Sequence, residues 1–284
     1  MLNLAVRNFK LYIKDRGSVF FSFLGVLVII GLYFLFLGDG MKKDFIEIEN
    51  SSLLMDTWVM AGIVAVASIT TSMGAFEAMV IDKVRKNTKD FLASPVKKYQ
   101  IVGGYVLSGF IVGCVMSFIT LAAALIFLYS QGYSVSSPLV FLKISGIILL
   151  AVLSSSSIVL FIVSFLKSTG AYSNVSILLG TLIGFVTGMY IPIGSLSEQV
   201  QWVIKCFPVS HASALLRQTM MEDMILKSFD HIPKEGVLQF QEQMGITFTF
   251  GDTTCTTAIH IAILCGTAII FFLLSLLILS RKEK

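Results

Sequence analysis

The residues that could do chemistry are few, and their spacing argues against an enzyme. The three histidines are His211, His231 and His260, and no two of them sit at metal-ligand spacing along the chain. There is no His-Glu-x-x-His, no Gly-x-Ser-x-Gly and no phosphate-cradling Gly-rich loop ending in Gly-Lys-Ser/Thr. His260, just inside the last apolar run, reads as hydrogen-bonded packing. Among Cys114, Cys206, Cys255 and Cys265, only Cys206 and Cys255 could meet outside the apolar runs, and free thiols are expected. Glu77 and Lys143 lie near the ends of apolar runs, where long side chains can snorkel to water. An ion-coupled transporter needs carboxylates near mid-membrane. These runs offer none, so no catalytic residue, metal ligand or cofactor is assigned to this chain.

The elements that would have to position such residues are set by composition. Of 284 residues, 56% are hydrophobic and 13% charged, with a mean hydropathy of +0.87. A soluble domain carries about 25% charged residues. The apolar residues fall in long runs, at 18–37, 57–76, 101–129, 139–166, 171–193 and 253–279. Each can cross a hydrocarbon core of ~30 Å at ~1.5 Å per helical residue. The expected fold class is an all-α polytopic membrane protein, one domain over 1–284 with six transmembrane helices. The first run is too long and too deep in the chain for a cleavable signal peptide.

Lys and Arg give the orientation. Arg7, Lys10, Lys14 and Arg16 precede the first run, and Lys83, Arg85, Lys86, Lys89, Lys97 and Lys98 lie between the second and third. With Lys167, Arg281, Lys282 and Lys284 on the same side, both termini are expected in the cytoplasm. Residues 194–252 then form an external loop or small subdomain. The net charge of +4 is spread over ends and loops, so the partner is the bilayer and not nucleic acid. The expected location is a bacterial cytoplasmic (inner) membrane.

Three segments lie outside the runs. Residues 1–16 form an interface helix, with Leu2, Ala5, Val6, Phe9, Tyr12 and Ile13 on one arc and Asn3, Arg7, Lys10 and Lys14 beside it. Between runs two and three, Val84, Thr88 and Phe91 fall at helical spacing, leaving Phe91 and Leu92 free to dock. Ser94-Pro95 reads as the cap and first turn of the third run. In the external part, Ile193, Leu196, Val200, Val203 and Phe207 mark a half-helix ended by Pro208. A second half-helix carries Ala212, Leu215, Leu216 and Thr219, and 246–250 alternates like a short strand. Ser68, Thr70, Thr71 and Ser72, the serines 154–157, and Gly109 and Gly113 let helices approach closely. Gly180, Gly184 and Gly188, four apart in run five, serve either intrachain packing or a dimer seam.

This layout resembles the type-2 ABC exporter permeases. The likeness covers the whole chain as architecture and is most specific at Thr88-Lys89-Asp90-Phe91-Leu92-Ala93-Ser94-Pro95-Val96-Lys97-Lys98, with Tyr190-Ile191-Pro192, Pro208 and Leu215-Leu216-Arg217 as a second match. Asn87-Thr88 stands where the family commonly has Gly-Thr. The resemblance implies a homodimer working with two copies of a separate ATP-binding subunit, which would carry ATP and Mg. Asp82, Lys83, Arg85, Lys86, Thr88, Phe91 and Leu92 would form the coupling helix, with Arg7, Phe9, Lys10 and Lys14 of the interface helix alongside. Ser68, Thr71, Asn174 and Phe185 would line the path, and Pro192, Phe207, Pro208 and Arg217 an external gate. The cargo would be hydrophobic or amphipathic: a drug, a peptide or a lipid-like molecule. The alternatives are a secondary transporter, an intramembrane enzyme, and a sensor or structural membrane protein.

Overall fold

The fold comes from a computed structural model that describes residues 1–33, 35, 50–87, 91, 96–135, 137–251 and 253–281. Helices come first: α1 (Leu2–Lys14), α2 (Arg16–Leu32), α3 (Ser51–Val84), α4 (Lys98–Ser130), α5 (Pro138–Phe165) and α6 (Thr169–Val186). A 3-10 turn (Ile193–Ser195) leads to α7 (Glu198–Cys206), α8 (Pro208–Ser228) and α9 (Lys234–Gln243). A short antiparallel ladder of β1 (Thr249–Phe250) and β2 (Thr253–Thr254) precedes α10 (Thr257–Arg281). The protein is an all-α polytopic membrane protein. Among the described residues, five helices (α3, α4, α5, α6 and α10) are long and apolar enough to cross a bilayer. The first apolar run forms α2, which has 17 residues.

α3 is the spine of the molecule. Its 34 residues span about 51 Å at ~1.5 Å each, well beyond a core of ~30 Å. It is buried along most of its length, with α2, α4, α5, α6 and α8 packed around it. Small residues make that crowding possible, because close helix approach in lipid is limited by side-chain bulk. Ser68 and Ser72 face Ser155 and Ser156 of α5, Oγ to Oγ at 3.1 Å in each pair. A Cβ on Gly109 would lie 2.5 Å from the Phe76 ring, and one on Gly113 would meet Val152 at 2.7 Å. The expected small-residue stripes therefore pack α3, α4 and α5 within one chain.

Side-chain caps fix several helix starts. The Asp15 carboxylate accepts the backbone N–H groups of Gly17 and Ser18 ahead of α2. Ser137 and Ser168 accept from Val140 and Ala171, with Pro138 at the first position of α5.

Several sequence expectations shift. The second run is not confined to 57–76 but continues to Val84, so Glu77 lies about 10 Å inside a helix at ~1.5 Å per residue. The Val84/Thr88/Phe91 spacing does not extend as one helix, because Arg85 and Lys86 turn and Lys86 has φ 63°. Residues 96 and 97 are non-helical, and α4 starts after Lys97, whose backbone N–H donates to the Gln100 side chain. Ser94, Pro95, Thr88 and Leu92 themselves lie outside the described residues. The fifth run ends as a helix at Val186, with Gly188 at φ 67° in the turn that follows. Between α6 and α8, Ile193 starts the 3-10 turn, and Val200 and Val203 of α7 are exposed while Ile204 is buried. The strand expected over 246–250 is reduced to its last two residues, and α9 had no sequence counterpart.

Candidate functional site

At its Val84 end, α3 is fastened to three other segments by one carboxylate. Arg7 of α1 forms a two-pronged ion pair with Asp82, Nη1 to Oδ2 at 2.8 Å and Nη2 to Oδ1 at 2.9 Å. Tyr105 of α4 donates its hydroxyl to Oδ2 at 2.7 Å, and Asn87 donates to Oδ1 at 2.9 Å. Four charge-assisted bonds on one acceptor are strong and directional. The Asp82 side chain is 3% exposed and that of Arg7 37%, so the latch sits at a boundary where water reaches one partner. The hydrogen bond to Asp82 raises the Arg7 pKa further above its ordinary value. The guanidinium also lies 5.5 Å from the centre of the Phe91 ring.

α1 reaches this position because α4 offers no side chain in its way. A Cβ on Gly104 would meet the Leu4 side chain at 2.8 Å, and one on Gly103 the Met1 sulfur at 3.1 Å. The face of α1 that packs inward is Ala5, Asn8 and Tyr12. Leu2, Val6 and Ile13, expected on the same arc as Ala5 and Tyr12, are exposed.

Nearer its Ser51 end, α3 is held by a second arginine of a different kind. Arg217 of α8 is fully buried, and its guanidinium lies 4.1 Å from the centre of the Trp58 ring. Its polar contacts are long: Nε donates to the Trp58 carbonyl at 3.4 Å, Nη1 to the Met244 carbonyl at 3.5 Å, and Nη2 to the Met189 sulfur at 3.3 Å. Among the described residues no carboxylate pairs with it. Burial pushes its pKa down to about 9, so it remains a cation at neutral pH. Gly62 makes the seat, since a Cβ there would lie 1.9 Å from the Met189 sulfur. Trp58 Nε1 donates to the Met244 carbonyl at 2.7 Å, tying the same patch to the residues that follow α9.

Next to this patch, two histidines that are far apart in sequence meet. His211 Nδ1 and His260 Nδ1 are 2.7 Å apart, and His211 Nε2 lies 2.7 Å from the Lys205 carbonyl. A carbonyl only accepts, so His211 carries its proton on Nε2 and accepts from His260 Nδ1–H. Both rings are buried, and burial lowers the His211 pKa. The pair joins α8 to α10.

Between these two ends, a cavity of about 940 Å³ opens between α2, α3 and α6. Its walls are mostly apolar, with Phe21 and Val28 from α2, Ile69 and Met73 from α3, and Ile177 and Phe185 from α6. Hydroxyls of Ser18, Thr70, Tyr172, Ser176 and Thr181 interrupt them, and Glu77 stands at the latch end. That volume lies within the usual range of ~300–1,000 Å³ for small-molecule sites.

The expected site residues divide accordingly. Asp82 bonds inside the latch, and Lys83, half-buried, donates to the Val163 carbonyl near the end of α5. Arg85 and Lys86 are exposed, and Phe91 is half-buried against the core. On α1, Lys10 and Lys14 are exposed, Phe9 packs near Tyr12 and Arg7 is in the latch. Of the four path residues only Phe185 lines the cavity. Ser68 and Thr71 are buried, Thr71 bonded to the Ala67 carbonyl, and Asn174 is exposed elsewhere. Pro192 and Phe207 are half-buried, and α7 gives way to α8 at Pro208, where the sequence placed the end of one half-helix ahead of a second.

The glycine stripe is split: a Cβ on Gly184 would meet the Tyr190 ring at 2.4 Å, Gly188 abuts Ile193, and Gly180 faces the cavity. Sequence reasoning missed the Arg7–Asp82–Tyr105 network, the histidine pair and Gly62. The Gly103-Gly104 pair was a readable signal for the close approach of α1.

A family model described as an ABC-2 family transporter protein matches residues 48–277. Among curated proteins, none matches the chain.

Proposed function

The chain belongs to the ABC-2 family of transporter proteins, and we propose that it is the membrane-spanning permease of an ATP-driven exporter. In this reading α2 completes six spans, and α1 with the Val84 end of α3 faces the cytoplasm, where the exposed basic residues lie. Segments α7 to α9 and the β ladder stand outside. Two copies of the chain would pair with two copies of a separate ATP-binding subunit, because this sequence has no loop to hold ATP and Mg. The cargo, a hydrophobic or amphipathic drug, peptide or lipid-like molecule, would move outward across a bacterial cytoplasmic membrane.

The observation that carries this reading is the continuity of α3. It lines the cavity from Ile69 to Glu77 and ends within two turns at the Asp82 latch, beside the exposed Arg85 and Lys86. A helix is stiff over that length, so a displacement at the latch is delivered to the cavity wall. A two-state element biased by ATP is what coupling requires. Catalysis stays on the partner, and this chain's share is to tilt and open.

The test is co-purification from native membranes. A stoichiometric ATP-binding subunit with ATPase activity is expected, together with loss of transport-coupled hydrolysis in Arg85→Glu/Lys86→Glu and in Phe91→Ala. A chain that purifies without any nucleotide-binding partner would instead identify a sensor or structural membrane protein.

A further inference from the structure

Resting on the reading of the cavity between α2, α3 and α6 as the substrate's route, we propose that the substrate is a hydrophobic organic cation. Among the described residues, Glu77 is the one charged group lining the cavity, and no Lys or Arg pairs with it. Its hydrogen-bond donor is the Ser18 hydroxyl, at 2.8 Å from Oε2. That hydroxyl has a single proton and also faces Asp15 Oδ2 at 2.9 Å. Asp15 has backbone N–H donors besides, from Gly17 and Ser18, so Glu77 is the poorer-served carboxylate of the two.

A carboxylate beside an apolar volume is costly without a counter-charge. A ligand that brings its own positive charge removes that cost, whereas an anion adds to it. The remaining walls suit an organic cation and not a metal ion. Phe21, Tyr172, Phe185 and Tyr190 are among the lining residues, and aromatic ring faces attract cationic groups. A hard metal ion needs six or so converging oxygens, and the hydroxyls here are scattered over three helices. Glu77 sits at the latch end of the cavity, so the charged head would lie near that end with the apolar body along α2 and α6.

The experiment uses the full chain in lipid nanodiscs and three probes of similar size. These are tetraphenylphosphonium (cation), tetraphenylborate (anion) and triphenylphosphine oxide (neutral), each measured against empty nanodiscs. Saturable tetraphenylphosphonium binding at least tenfold tighter than tetraphenylborate is expected. Glu77→Gln should weaken the cation about tenfold while leaving the neutral probe unchanged, and that unchanged binding reports an intact cavity. Glu77→Asp should restore part of the loss. If the cation has no advantage over the anion, or Glu77→Gln leaves it unchanged while the neutral probe still binds, the cation inference fails and the cavity remains a route. If none of the three probes binds above empty nanodiscs, the reading of the cavity as the route fails with it.

Discussion

Two arginines hold the same helix, and they do so by opposite physics. Arg7 meets the Val84 end of α3 through a carboxylate, with two short charge-assisted bonds and its outer side in reach of water. Arg217 meets the Ser51 half through a tryptophan ring and backbone carbonyls, fully enclosed and with no carboxylate among the described residues. A partly hydrated ion pair has a modest net worth, because water competes for its exposed partner, here Arg7. Such a contact can be made and broken within a working cycle. A cation sealed among apolar groups cannot leave without carrying its charge through them. In the lever proposed above, the first contact would serve as the latch and the second as the pivot.

The largest effect should come from the pivot. Arg217→Ala leaves a void at Trp58 and Met189, with an expected loss of about 3–5 kcal/mol, as for large-to-small core changes. Thermal unfolding in detergent measures it. Arg217→Met keeps much of the volume and removes the uncompensated charge, so it should lose less than half as much. Equal damage from Met and Ala would show that the charge itself holds α8 to α3.

The latch comes next. Asp82→Ala removes the shared acceptor of Arg7, Tyr105 and Asn87, with an expected cost of about 2–3 kcal/mol from the unsatisfied groups. A double-mutant cycle with Arg7→Ala should show coupling of about 1–2 kcal/mol. Additive losses would mean that the two residues act independently, and the latch would dissolve as a unit.

Much of the fold was legible because lipid imposes it. Runs of apolar residues must be helices to satisfy their backbones, and the runs near 139–166 and 253–279 became α5 and α10 within a few residues. The N-terminal helix was legible from its charge pattern. The sites were less so, since hydropathy gives depth in the membrane but not the azimuth of a side chain. Ser68 and Thr71 were expected on the path, yet the cavity took the adjacent Thr70. Asp82 looked like a surface charge in a basic stretch, and only the fold brings Arg7 to it from 75 positions away. His211 and His260 met for the same reason, 49 positions apart.

That histidine pair gives the pivot end a pH dependence near neutrality. Burial lowers the folded pKa of His211, so the unfolded chain binds the proton more readily. Its contribution to stability is full above the unfolded value of about 6.5 and is lost as pH falls through the lower folded value. Protonation would also set N–H against N–H across the His211–His260 contact. About 1 kcal/mol should disappear between pH 7.5 and 5, the worth of one buried hydrogen bond. His211→Asn should flatten that slope, read as unfolding temperature against pH. An unchanged slope would place the titration elsewhere.

The smallest effect separates the two ends by salt. At ionic strength of about 0.15 M the Debye length is about 8 Å, and it shortens to about 3 Å at 1 M. The Arg7–Asp82 pair lies half in water and should weaken by a few tenths of a kcal/mol across that range. The Arg217 seat, with its guanidinium fully buried, should not respond. Arg7→Lys makes the contrast sharper, because an ammonium replaces two fixed parallel bonds with one movable point charge. It should lose about 0.5–1 kcal/mol of the latch and leave the unfolding signal of Trp58 unaltered at every salt concentration. If Arg7→Lys instead shifts the Trp58 signal, the ends of α3 are coupled already at rest. The helix would then be held under tension between its two ends before any partner subunit acts on it.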